Sequence, residues 1–161
     1  MNTARNTPNH IWSLIADNKE ENALRILRDI QDGSVWVKNA TAVCWMRLGK
    51  PEKALAILVD MVYKNNSVIM RQDASDVTKL NLVTAMLMTG NVEGALEVLN
   101  AVEHNTPMKE NLERAVRTWK KQQPIWSRMA MSVEIYPDNK PVKLDFPPGQ
   151  IEVNVKDIFA R

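Results

Sequence analysis

The sequence predicts an all-α fold: an array of three helix-turn-helix hairpins, a capping helix, and a short β-like C-terminal tail. Three observations predict it. One word occurs three times, as Ala23-Leu24-Arg25-Ile26-Leu27, Ala54-Leu55-Ala56-Ile57-Leu58 and Ala95-Leu96-Glu97-Val98-Leu99, and each copy continues with an apolar residue, Ile30, Met61 or Val102. Apolar residues at i, i+1, i+4 and i+7 make one stripe of an amphipathic helix, and such a unit repeated every few tens of residues marks a stacked array. Glycine, proline and threonine punctuate the helices at matching places. Beyond Met131 the apolar period changes from near 3.6 to 2.

The elements follow in order. Helices are expected near 8–17 and 20–31, then 34–48 and 51–64, then 74–89 and 92–104. Thr7-Pro8 and Thr106-Pro107 each suit an N-cap and first helical position. Gly49 and Gly90 stop helices just before Pro51 and Val92 start the next, and Gly33-Ser34 marks another stop and start. Connections this short force antiparallel pairing. A seventh helix near 108–121 places Leu112, Ala115, Val116 and Trp119 on one face and charges on the other, as a terminal cap requires. The step from Ala54 to Ala95 exceeds that from Ala23 to Ala54, so extra residues near 65–74 form a longer loop or extend the next helix.

Pro124 breaks the helical pattern, and a short turn of helix fits Ile125–Met129. Val133 and Ile135, then Val142, Leu144 and Phe146, then Ile151, Val153 and Val155 alternate with polar residues, separated by Pro137-Asp138-Asn139-Lys140 and Pro147-Pro148-Gly149. This predicts two or three short strands. A meander that small is not stable alone, so it is expected to pack on the helices or on a partner. The division is a repeat domain at 1–122 and an extension at 123–161.

The 161 residues are 45% hydrophobic and 25% charged, with a net charge of +2, which gives no global pull toward nucleic acid or anionic membrane. Locally, Lys109, Arg114, Arg117, Lys120, Lys121 and Arg128 outnumber Glu110 and Glu113, as a solvated face or a docking surface for an acidic partner. Cys44 is the single cysteine, so an intrachain disulfide and a cysteine metal cluster are excluded; beside Trp45 it reads as a buried structural thiol. No signal-type or membrane-spanning run occurs, and a cytoplasmic protein is expected. The glycosylation pattern at Asn65-Asn66-Ser67 is discounted for want of a secretory context.

Ala42, Trp45, Leu48, Gly49, Ala54, Leu55 and Leu58, and then Gly90, Ala95, Leu96, Leu99 and Pro107, resemble the tetratricopeptide repeat, a helix-turn-helix unit of about 34 residues. The first copy keeps Leu14, Ala23, Leu24 and Leu27, with Asn18 in place of the glycine. The resemblance spans about residues 8–122. It departs at Lys38 and Lys79, where the family often has tryptophan, and at Ile11 and Val83, where it has a small residue. A plain helical bundle reusing the word is the competing fold.

The resemblance implies a right-handed array whose first helices line a concave groove. It places Trp12, with Ile15 and Ala16, on the first; Trp36, Asn39, Val43, Met46 and Arg47 on the second; and Leu80, Thr84, Leu87 and Met88, with Val77, on the third. The lysine and asparagine set with which some members clamp a carboxylate is missing. The groove is therefore expected to take an apolar peptide or helix of another protein, or this chain's own tail through Tyr136, Leu144 or Phe146, with a homodimer as a further possibility. No catalytic or phosphate-binding motif is present, and His10 and His104 lie far apart. A non-catalytic scaffold without cofactor or metal is expected, RNA binding being the remote alternative for helical repeats.

Overall fold

The computed structural model describes residues 8–30, 33–64, 67–137 and 139–151. Among them the chain forms eight helices: α1 (Pro8–Ala16), α2 (Glu20–Asp29), α3 (Val35–Arg47), α4 (Pro51–Val62), α5 (Asp76–Thr89), α6 (Val92–Asn100), α7 (Pro107–Gln122) and α8 (Ile125–Met131). The all-α class follows. The expected seven helices and the short turn of helix at Ile125 each have a counterpart.

The three hairpins turn in the same way. Asn18, Gly49 and Gly90 have φ of 56°, 69° and 87°. In each turn the residue at positive φ donates its N–H three residues back, to Ile15, Met46 or Leu87, and the next residue donates five back, to Leu14, Trp45 or Met86. This pair of hydrogen bonds satisfies the last carbonyls of one helix and reverses the chain within two or three residues. Asparagine tolerates that conformation best after glycine, which explains Asn18. The following helices start on Glu20, Pro51 and Val92. At the N-termini, Ser75, Asn91 and Thr106 accept hydrogen bonds from the backbone N–H of Thr78, Gly94 and Lys109.

The repeated word occupies equivalent environments. Ala23, Ala54 and Ala95 are fully buried, and Leu27, Leu58 and Leu99 are buried with them. Alanine there lets neighbouring helices approach closely. Consecutive helices pack pairwise from α1 to α6, while α1 meets α3, α3 meets α5 and α5 meets α7. The odd-numbered helices thus form one continuous layer. α5, surrounded by α3, α4, α6 and α7, buries nine of its 14 residues, including Thr78, Asn81 and Thr84.

Two sequence expectations are corrected or resolved. The extra residues after α4 form a hairpin-like loop: Tyr63 and Met70 make an isolated antiparallel bridge, and Arg71 N–H donates to Val62 O at 2.7 Å. Asn65 and Asn66 lie outside the described residues. The expected strands of the tail are not formed among the described residues. α8 instead runs to Met131 and closes on Glu134, whose φ is 63°, with Ile135 N–H donating to Ala130 O. Val133 and Ile135 are exposed, so their alternation reflects a helix end. Residues 139–151 form no regular element and turn through left-handed Asn139 and Gly149; their backbone bonds go to helices, and Pro141, Pro147 and Pro148 lack the N–H that a ladder needs. The period-2 pattern arises because an extended chain lays alternate side chains on a surface: Val142 is buried, and Leu144 and Phe146 are half-buried against the core. Val153 and Val155 of the third run lie outside the described residues.

Candidate functional site

The tail segment 139–151 lies across the odd-numbered helices. Val142 N–H donates to Leu87 O at 2.8 Å, at the end of α5 where helix carbonyls lack partners. Arg47 at the end of α3 donates from Nε to Pro148 O at 3.3 Å and from Nη1 to Ile15 O at 3.1 Å, tying α1, α3 and the tail together. Gly149, with φ of 81°, lies so close to α3 that a Cβ there would stand 2.7 Å from Met46 Cε and 2.9 Å from Val43 Cγ2. At the other end, a Cβ on Gly90 would stand 2.6 Å from the backbone N of Lys140.

The centre of the site is an amide pair. Asn81 Nδ2 donates to Gln150 O at 2.7 Å, and Gln150 N–H donates to Asn81 Oδ1 at 2.8 Å. A carboxamide carries a donor and an acceptor side by side, as a peptide backbone does, so it reads an extended chain without reading its side chains. Asn81 also donates to Asn39 Oδ1 at 3.1 Å, and Asn39 Nδ2 donates to Thr78 Oγ1 at 2.8 Å. These three side chains are fully or almost fully buried, which fixes the Asn81 amide in one orientation.

The groove residues expected from the sequence divide accordingly. Val43 and Met46 are buried beside Gly149, Arg47 grips Pro148, and Leu87 supplies the carbonyl for Val142. Asn39 supports Asn81. Leu80 and Thr84 are buried in the core, and the Thr84 hydroxyl donates to Leu80 O within its own helix. Met88 is half-buried, and Trp12 stands 42% exposed on α1. Trp36 lines an open cleft of about 550 Å³ with Ser34, Lys38, Met61, Arg71 and Thr78. A second cavity of about 220 Å³ lies between α7 and the tail, bordered by Arg114, Ala115, Trp119 and Leu144.

Asn81 and Gln150 were not among the expected residues. The available signal was polarity: Asn81 interrupts the apolar run Leu80–Val83 of α5. The basic stretch is partly used internally. Lys109 donates to Val102 O, Arg114 to Asn111 and Lys120 to Tyr136, while Lys121 and Arg128 remain exposed. Cys44 is buried, and desolvation, with Glu20 adding to it, pushes its thiol up to about 12. Asp76 has a lowered pKa: burial raises it, but hydrogen bonds from the His104 ring and backbone and the nearby Lys79 together outweigh burial. Among the described residues no three His, Cys, Asp or Glu side chains cluster as metal ligands, and no helix is long and apolar enough to cross a membrane.

No family model, curated protein or solved structure matches the chain.

Proposed function

We propose that the protein is a non-catalytic interaction module, a tetratricopeptide-like array acting in the cytoplasm, whose concave face holds an extended protein segment by its backbone. In support of this reading, residues 139–151 lie against α3 and α5, bonded to Arg47, Asn81 and Leu87. The observation that carries the reading is the two-point pairing of Asn81 with the Gln150 backbone. A buried amide held by a further amide and a hydroxyl suits a groove that must grip an extended chain of variable sequence. On this reading a partner's segment displaces the tail, and the tail sets the threshold for binding.

A second reading is favoured by the burial of Val142 at 3% and Ile151 at 7% exposure. Here the tail is a permanent part of the core, and contacts are made elsewhere, through self-association. The full chain carrying Gly149→Val separates the two. Its valine meets Val43 and Met46 and is strained at positive φ. A displaceable tail gives a folded variant that binds a labelled peptide of residues 139–151. A permanent one gives a variant that unfolds early and binds no peptide.

A further inference from the structure

The outer face of α8 is apolar, and its flank is basic. Ile125, Trp126 and Met129 fall within about 100° of one another around the helix. All three are exposed, Trp126 to 77%. Met131 lies on the opposite side, in the core. Arg128 and Ser132 lie between the two, and with Lys120, Lys121 and Met131 they line a hollow of about 300 Å³. Three cations and no carboxylate border that hollow. Lys120 is held by Tyr136, through a 3.3 Å hydrogen bond to the hydroxyl and a position 5.0 Å from the ring centre. Lys121 and Arg128 are exposed and form no ion pair among the described residues. From residue 114 to 135 the sequence has five basic residues and one acidic one, Glu134.

We infer that this face docks on an anionic lipid surface, with Ile125, Trp126 and Met129 entering the headgroup layer and Lys121 and Arg128 set against lipid phosphates. Charge selects the occupant. A second copy brings the same cations against these, and like charges repel. An anionic surface supplies the counter-charge that the fold itself does not. Shape selects lipid over an acidic protein. Side chains this exposed stand out from the surface, so a folded partner must offer a matching hollow, whereas lipid headgroups move aside. Tryptophan suits that layer because its ring is apolar and its N–H stays hydrated. With seven residues, α8 lies on the surface and does not cross it. No residue of this face belongs to the groove, so the docking does not depend on how the groove is used.

The test is co-sedimentation of the full chain with vesicles of phosphatidylcholine, alone or mixed with phosphatidylserine. The protein pellets with the mixed vesicles, at least about ten-fold more tightly than with the neutral ones, and added salt weakens the binding. No pelleting, or equal affinity for both vesicles, overturns the docking. Lys121→Gln with Arg128→Gln weakens binding to the mixed vesicles by about ten- to thirty-fold. Lys120 is left in place because Tyr136 rests against it. Trp126→Glu with Met129→Glu abolishes pelleting at an unchanged melting temperature. If either double variant pellets as the unsubstituted chain does, the contact lies elsewhere and the assignment falls. Light scattering without lipid reads monomer; a dimer that the glutamates dissociate gives the stripe to a second copy and overturns the choice of lipid. Binding to soluble polyglutamate as tight as to the mixed vesicles gives it to an acidic protein and overturns that choice equally.

Discussion

Asn81 and Gln150 lie 69 residues apart in sequence, yet each is donor and acceptor to the other, with both bonds under 3 Å. The pairing uses the side chain of one and only the backbone of the other. Two substitutions therefore differ sharply. Asn81→Ala leaves the Asn39 carbonyl without its partner in a buried site and the Gln150 backbone groups unpaired at a part-buried contact, and destabilises by about 1–3 kcal/mol. Gln150→Ala keeps both bonds and changes stability by less than about 0.5 kcal/mol. Denaturant unfolding of the two variants checks this, and equal losses would contradict the backbone reading.

Gly49 and Gly90 close equivalent turns with similar φ, but their surroundings differ. A Cβ on Gly49 meets nothing within 4 Å, whereas one on Gly90 meets the backbone of Asn139 and Lys140. Gly49→Ala incurs only the conformational cost, about 1–3 kcal/mol. Gly90→Ala incurs that cost and also pushes the tail from α5. The expected signature is faster proteolysis between residues 137 and 151 in the Gly90 variant alone.

Cys44 is buried, with its thiol held at about 12. Since the thiolate is the reactive form, alkylating reagents leave the native protein unlabelled at pH 8 and label it once unfolded. Rapid native labelling, followed by mass spectrometry, would show that α3 opens locally.

Asp76 joins the first turn of α5 to His104 beyond α6, at 2.7 Å. Its carboxyl is held below the ordinary 3.8. A lowered native value means that the charged form stabilises the fold. That contribution is complete above 3.8 and is lost as the pH falls through the lowered value. The stability gap between wild type and Asp76→Asn therefore shrinks on titration from about pH 5 to about pH 2. A gap that stays constant would assign the effect to packing.

α8 carries an outward apolar stripe: Ile125, Trp126 and Met129, continued by Val133 and Ile135, are all more than 60% exposed, while Met131 faces the core. Trp126→Glu with Met129→Glu leaves the melting temperature unchanged, because nothing in the fold rests on the stripe. The double variant binds less of a hydrophobic dye. A marked loss of stability would place the stripe in a packed interface.

The helices were legible because each depends on local chemistry: Pro51 and Pro107 begin helices, Gly49 and Gly90 end them, and the repeated word buries the same faces. The tail was half legible. Val142, Leu144 and Phe146 alternate as an extended chain must, but alternation does not say whether the neighbour is a strand or a helix layer. The groove positions Val43, Met46, Arg47 and Leu87 came from the family resemblance, carried over by position. Asn81 did not, because a buried amide shows its purpose only when the chain it pairs with, 69 residues on, is in place.

The tail also follows every helix it covers in the sequence. Every helix it covers leaves the ribosome before it does. At about 5–20 residues per second, Gln150 follows the end of α5 by roughly 3–12 s. For that interval Val43, Met46 and the Asn81 amide face solvent in a nascent chain with no competitor in cis. On the proposed function, a partner's segment that meets this face in that interval faces an empty site, and its occupancy then depends on timing during translation as well as on affinity afterwards.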